Sequence, residues 1–211
     1  MLFDFTELPA QARYKLLAST VTPRPIAWVV SRSAIGTVNA APFSFFNVLS
    51  GDPPTVGISI GSRRPGAPKD TLANIQATGE FVVNLVSRDN AEAMNKTATE
   101  FPPGVDELAM AKLTRLPSVK VTPPRIAESP VAFECKLFQT VPLGPANTLV
   151  LGHVVAMHVR DDAVLDALKH YIDTPKLDLI GRMHGGGGYT TTRDQFQIPR
   201  IPLEDWDAVA D

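Results

Sequence analysis

The sequence predicts a mainly β fold: an antiparallel barrel with helices packed against its outside. Three observations carry that expectation. Residues 26–31, 56–60, 131–141 and 147–159 show apolar alternation of strand period. These segments cluster without the strand–helix–strand rhythm that builds a doubly wound sheet. The 19 prolines bunch between them, which suits short strands with stiff connections better than a helical bundle.

Taken in order, residues 8–18 read as a helix, with Pro9 tolerated in its first turn and Leu8, Ala12 and Leu16 on one stripe. Pro23 and Pro25 stop it. Residues 26–31 form a strand, Gly36 turns the chain, and residues 37–41 return as a hairpin. Residues 55–61 are a further strand, followed by a breaker-rich loop over 62–68. A helix opens at Lys69, with Asp70 or Thr71 as its cap, and Gly79 closes it. Residues 81–86 are a strand, 89–97 a helix and 105–111 a short helix. Residues 117–130 carry four prolines and make a surface segment. Strand 131–141 places Val131, Phe133, Cys135 and Leu137 on one face. Strand 147–160 is apolar on nearly both faces, which predicts a central position. Residues 161–172 are helical or irregular, 181–192 glycine-rich, and 198–202 an extended tail. One domain spans residues 1–211.

Apolar residues make up 44% of the chain and charged residues 20%, enough to fill a sizeable core. The net charge of −2 advertises no nucleic acid and no anionic membrane as partner. No apolar run reaches the roughly 18 residues of a membrane span. The acidic first residues do not read as a secretory signal. Cys135 is the single cysteine, so no intrachain disulfide forms, which fits a cytoplasmic protein.

The stretch from Asn39 to Asn47 interleaves polar and aromatic residues in a way a plain buried strand does not need. Ser44 and Asn47 offer a hydroxyl and an amide, Phe43, Phe45 and Phe46 flat apolar surface, and Pro42 no N–H, so it belongs at a strand end or edge. In the next run Thr55, Gly57, Ser59 and Gly61 share one face and Val56, Ile58 and Ile60 the other. The first face is almost bare. It admits a flat ligand or another backbone, or it serves a tight barrel corner. Arg24, Arg63, Arg64 and Lys69 bracket the stretch, and Lys69 with Thr71 stands at a helix start, where N–H groups and the dipole favour an anion such as phosphate. A solvated loop with an ordinary helix cap accounts for the same residues.

Other constellations are bland. His184 and the glycines at 185–188 lack the ending of a P-loop, and a flexible loop explains them. His153 and His158 are five apart, on opposite faces of a strand, so they do not share a metal, and no metal site is expected. Cys135 in its apolar strand reads as core. No catalytic acid, base or nucleophile stands out, so any enzymatic chemistry falls to an organic cofactor.

An ordered set of motifs resembles the flavin reductase-like, FMN-binding split-barrel family. It comprises Thr22-Pro-Arg-Pro-Ile-Ala-Trp-Val-Val-Ser31, residues 39–47 with Asp52-Pro-Pro54, Lys69-Asp-Thr71 with Asn74-Ile75, Gly79-Glu-Phe-Val-Val-Asn84, Phe101-Pro-Pro-Gly-Val-Asp106, Glu128-Ser-Pro130, Leu149-Val-Leu-Gly-His-Val-Val155, and Gly181-Arg182 with Tyr189. The resemblance implies a six-stranded antiparallel Greek-key split barrel binding FMN at a homodimer interface. It implies cofactor contacts from Asn39, Ala41, Pro42, Phe43, Ser44, Phe45, Phe46 and Asn47 to the ring and ribityl chain. Ser59, Ile60, Gly61 and Arg63, then Lys69, Asp70 and Thr71, would hold ribityl and phosphate, with Arg24 and Tyr189 as further contacts. His153 would face reduced nicotinamide, NADH or NADPH. The expected activity is that of an FMN-dependent oxidoreductase, NAD(P)H:flavin reductase-like, feeding an unidentified acceptor; the alternative is an electron carrier that holds flavin without turnover. One departure stands out: the family's short-chain reductases often carry Gly-Asp-His on the late strand, whereas here Gly152 meets His153 directly.

Overall fold

A computed structural model of the protein describes residues 1–62, 67–102 and 104–208. After helix α1 (Ala10–Thr20) come strands β1 (Ala27–Arg32), β2 (Val38–Phe43), β3 (Phe46–Gly51) and β4 (Pro54–Gly61). Helix α2 (Asp70–Thr78), strand β5 (Glu80–Leu85) and the short helices α3 (Ala91–Lys96) and α4 (Glu107–Met110) follow. A small ribbon, β6 (Arg115–Leu116) with β7 (Arg125–Ile126), leads into the long strands β8 (Val131–Pro142) and β9 (Asn147–Val159). Two further ribbons close the chain: β10 (Val164–Asp166) with β11 (Tyr171–Ile172), and β12 (Ile180–Arg182) with β13 (Tyr189–Thr191).

Seven strands make one antiparallel sheet in the order β2-β1-β5-β8-β9-β4-β3. Its two edge strands, β2 and β3, are consecutive in sequence and joined by Ser44 and Phe45 alone. Opposite edges so close along the chain force the sheet to curl on itself, and the result is a barrel left open along one seam. A hydrogen bond from the Ser59 N–H to the Phe45 carbonyl, 2.8 Å, holds the joint against β4. The expectation of six strands gives way to seven because Phe46–Gly51 pairs along β4 as a strand of its own, with Phe46 opposite Ile58 and Asn47 opposite Gly57.

The β2 edge shows why Pro42 sits where it does. In an antiparallel pair alternate N–H groups point away from the partner strand. The Ala40 N–H points away from β1 and is taken by the buried Glu107 carboxylate at 3.0 Å. Pro42, two residues on, shares that outward orientation and has no N–H to satisfy.

The core has two layers. Inside the barrel, Val29, Phe43, Phe46, Ile58, Phe81 and Val150 pack together, and α2 plugs one end with Leu72 and Ile75. Outside it, Trp28, Val82, Met94, Leu108, Ile126 and Ile180 join the sheet to α3, α4 and the late ribbons. Strands β1 and β5 are therefore buried on both faces. The Trp28 indole N–H donates to Thr97 at 2.9 Å, and the Asn84 amide ties the Trp28 carbonyl to the Ile126 N–H. Strand β9 is central, between β8 and β4, yet Val155 and Met157 stay exposed.

Glu134, on β8, is fully buried. Its carboxylate accepts the Val119 and Lys120 N–H groups at 2.9 and 2.6 Å and meets the His158 ring nitrogen at 2.6 Å. Burial pushes its pKa up, but the Val119 N–H, His158 and the Lys120 N–H together hold it below the ordinary 4.5. A depressed folded-state pKa contributes stability that is present above the unfolded value and lost as pH falls through the folded one. Denaturant unfolding of Glu134→Gln should therefore show a loss of about 2 kcal/mol at neutral pH, the scale of hydrogen bonds to a charged group, shrinking below about pH 4. A deficit that stays constant in acid would contradict the assignment.

Candidate functional site

The site grows from the joint between the two sheet edges. Residues 43–46 cross from β2 to β3, and the strand alternation breaks there: the two outer side chains turn in and the two middle ones face out. Phe43 and Phe46 are buried in the barrel, whereas Phe45 is 41% exposed. Phe43 and Phe46 are each 8% exposed, so most of either ring belongs to the core and only its margin reaches the clefts. Phe45 is flanked by the Tyr14 ring at 6.1 Å and by the Arg24 guanidinium at 5.7 Å.

Two clefts meet at this joint. One, about 240 Å³, lies against Pro42, Phe43 and Ser44, with Asn95, Arg182 and Tyr189 across from them. The other, about 350 Å³, runs along Leu17, Arg24, Phe45, Phe46 and Asn47. Ser44 borders both. The Arg182 guanidinium lies 4.7 Å from the centre of the Tyr189 ring, a cation–π contact that fixes the ring at the cleft wall.

Arg24 is buried, and its Nη1 donates to the Ala18 and Val21 carbonyls at 2.6 and 2.9 Å while Nε reaches Ser44 Oγ at 3.4 Å. It closes the C-terminal end of α1, where a cation suits both the free carbonyls and the dipole. Burial lowers its pKa, with Tyr14 acting to raise it and Arg182 to lower it. Backbone hydrogen bonds between Arg24 and Arg182, 2.9 and 2.8 Å, lock the late ribbon onto the same corner.

Helix α2 starts beside the joint. Lys69 is its N-cap residue, with no side-chain cap bond, and its ammonium lies 5.7 Å from the Phe43 ring centre. The first-turn N–H groups of a helix have no intrahelical acceptor, so Lys69 stands where an anion is favoured. Thr71 is buried, and its Oγ1 accepts the Asn39 amide at 2.9 Å; neither side chain caps the helix. Asn39 and Asp70 share a separate small cleft with Asn74 and Val105.

The end of β4 is nearby through the Ser59–Phe45 bond. Ile60 is buried in the barrel core, so it faces any ligand through backbone alone. The near-bare face of β4 is filled in part by this chain: a Cβ on Gly57 would come within 2.5 Å of Leu49 Cδ1, and one on Gly61 within 3.3 Å of the Asn147 amide oxygen. Arg63 lies outside the described residues.

His153 sits elsewhere. It pairs with Thr55, its Nδ1 is 3.2 Å from Thr55 Oγ1, and its ring stacks on Phe138 at 4.5 Å. Counting four to six residues along β4 separates it from Ser59–Gly61 by roughly 13–20 Å. Gly152, its neighbour, has a packing reason: a Cβ there would lie 2.4 Å from Phe81 Cζ in the barrel core. The glycines at 185–188 form the β12–β13 turn, where the Gly186 N–H donates to His184 Nδ1 and the Arg182 guanidinium to the Gly185 carbonyl. That turn is held by bonds among its own residues.

Sequence reading missed Tyr14, Met94 and Asn95 and did not place Arg182 in the site. All four come from segments far from residues 39–47, and only the fold gathers them. Among the described residues, no group of three or more His, Cys, Asp or Glu is placed to hold a metal ion, and no helix is long and apolar enough to cross a membrane.

Residues 19–175 match the model of the flavin reductase like domain family. A protein of Deinococcus radiodurans is 47% identical over 208 residues, 97% of this chain and 91% of its own. Nitrilotriacetate monooxygenase component B from Bacillus cereus overlays with a TM-score of 0.88 at 33% identity, covering 94% of this chain and 98% of that one. The 2-nitrobenzoate 2-nitroreductase NbaA of Pseudomonas fluorescens gives 0.87 at 32% identity, covering 96% and 97%.

Burial pushes the Cys135 thiol pKa far above its ordinary value, with nearby Glu134 adding to the rise. A thiol reagent should therefore label the folded protein only as fast as the chain opens. Stoichiometric labelling within seconds at about pH 8 would place a reactive thiolate where the fold puts core.

Proposed function

Because the chain belongs to the flavin reductase-like family and has its split-barrel fold, we propose that it is an FMN-dependent oxidoreductase. It takes electrons from NADH or NADPH and passes them through bound FMN to an acceptor. The observation that carries this is the donor set at the joint: aromatic surface from Phe43 and Phe45, polar groups from Ser44 and Asn47, and the Lys69 ammonium at a helix start. A flavin mononucleotide asks for one of each, having a flat apolar ring, a polar ring edge and a phosphate. The residues present fit the group.

In this reading the N–H groups of Ser44 and Phe45, at the joint, donate to the ring edge, since those of Ala41 and Phe43 turn toward β1, and Ser59 with Gly61 borders the ribityl chain. Lys69 holds the phosphate, with Arg63 assisting. Arg24 keeps α1 closed over the second cleft and orients Ser44 rather than carrying the phosphate. When bound, FMN supplies a two-electron relay, so the protein needs no acid, base or nucleophile of its own. Its task is to orient the flavin and exclude water. Neighbours named for a monooxygenase component and for a nitroreductase suggest two kinds of acceptor, a partner oxygenase and a nitroarene.

A homodimer belongs to the same proposal. The edge strand β3 leaves Val48 and Leu49 exposed, and Phe45, Phe138 and Ile198 add apolar surface. An unpaired strand edge with apolar side chains calls for cover. His153 reaches a flavin only if that flavin belongs to a second copy, since it stands at the other end of β4 from Lys69. A nicotinamide-independent electron carrier is the second reading, and the engagement of His153 with Thr55 and Phe138 favours it.

Flavin titration followed by fluorescence should show a Kd for Lys69→Ala raised by about 1.5–3 kcal/mol in binding free energy; an unchanged Kd removes Lys69 from the phosphate site. NADPH or NADH oxidation with FMN present separates the two readings, because a carrier gives none. Light scattering at micromolar concentration should give twice the chain mass, from an interface above about 2,000 Å².

A further inference from the structure

A third cleft, about 570 Å³, opens beside the joint and is larger than either of the two clefts meeting there. It continues the first of them, because Asn95 and Tyr189 line both. Its floor is apolar, from Ala91 and Ile180. Arg88 and Lys96 stand on its rim with one acid, Glu92. Helix α3 explains the grouping: residues 91, 92, 95 and 96 fall on one helical face. None of the ion pairs among the described residues uses Arg88 or Lys96.

We propose that this cleft binds a small aromatic carboxylate as the substrate that meets the flavin, its ring between the Ile180 floor and the Tyr189 ring and its carboxylate between Arg88 and Lys96. The volume suits a small organic molecule. Among its lining side chains two cations face one acid, and Asp178, which acts on Arg88 from outside the cleft, is itself paired with Arg193 at 2.6 Å, so a single net positive charge remains, which matches a monoanion better than a phosphate dianion facing Glu92. Tyr189, pinned by Arg182, forms the shared wall, so a ring held against it lies next to the joint. The inference rests on the flavin reading for the role of this ligand, but its binding is measurable without turnover.

The probes are benzoate and its neutral isostere benzamide, titrated by calorimetry into the protein with and without FMN. Benzoate should bind at least about tenfold more tightly than benzamide, and Arg88→Gln or Lys96→Gln should each weaken it about tenfold, the scale of one charge-assisted hydrogen bond. Glu92→Gln, which removes the opposing charge, should tighten it. Flavin affinity should be unchanged in all three variants, whereas Lys69→Ala should show the reverse pattern. Equal affinity for benzoate and benzamide, or benzoate binding indifferent to both cation substitutions, overturns the proposal. So does tighter binding of adenosine diphosphate than of benzoate, which would make the cleft a seat for the nucleotide end of the reductant. Benzoate binding without any flavin binding would leave the cleft standing and sink the flavin reading alone.

Discussion

Everything in this structure depends on a two-residue connection between opposite edges of one sheet. Ser44 and Phe45 are all that separates the end of β2 from the start of β3, and five other strands lie between those two in the sheet. So short a link cannot span a flat sheet of seven strands. The sheet must roll until its edges nearly meet. Closure by hydrogen bonding is blocked on the β2 side, since the outward position after Ala40 is Pro42 and the Ala40 N–H is already taken by Glu107. The barrel is thus held nearly shut and kept from sealing, and the gap is where the candidate site lies.

Buried polar groups fix the parts that the rolled sheet alone would leave loose. Arg24 binds the end of α1 to the joint, Asn84 ties β1 to the small ribbon, and Glu134 fastens the loop of Val119 and Lys120 beneath β8. Among the described residues, every buried side-chain nitrogen and oxygen has a hydrogen-bond partner. Such groups are costly to strand and cheap to keep when satisfied, so they favour one arrangement of loops over others of similar apolar burial.

Much of this was legible in the sequence. Strand-period alternation located β1, β4, β8 and β9, because each has at least one face in a core. Gly79 marked the end of α2 and indeed lies at φ 72°. The ordered motifs led to the family that the comparisons show. Strand β3 was not legible: its Val48 and Leu49 face outward, so its pattern is that of an exposed loop. Glu134 was read past as one polar residue in an alternating strand, since its partners at 119, 120 and 158 are distant in sequence. The same holds for Tyr14, Asn95 and Arg182. Gly57 carried an ambiguous signal: its small size fitted a ligand, another backbone or a tight corner, and the Leu49 side chain lies where its Cβ would be.

The seam has a mechanical consequence. A ligand lodged at the joint touches residues on both borders of the rolled sheet and the helix that plugs it. It works as a clasp. Parting the borders would then mean releasing the ligand as well, so any opening at this corner would become rarer in proportion to occupancy. On the proposed function, cofactor supply and the stiffness of this corner are one variable, and amide exchange around residues 43–46 would report on both.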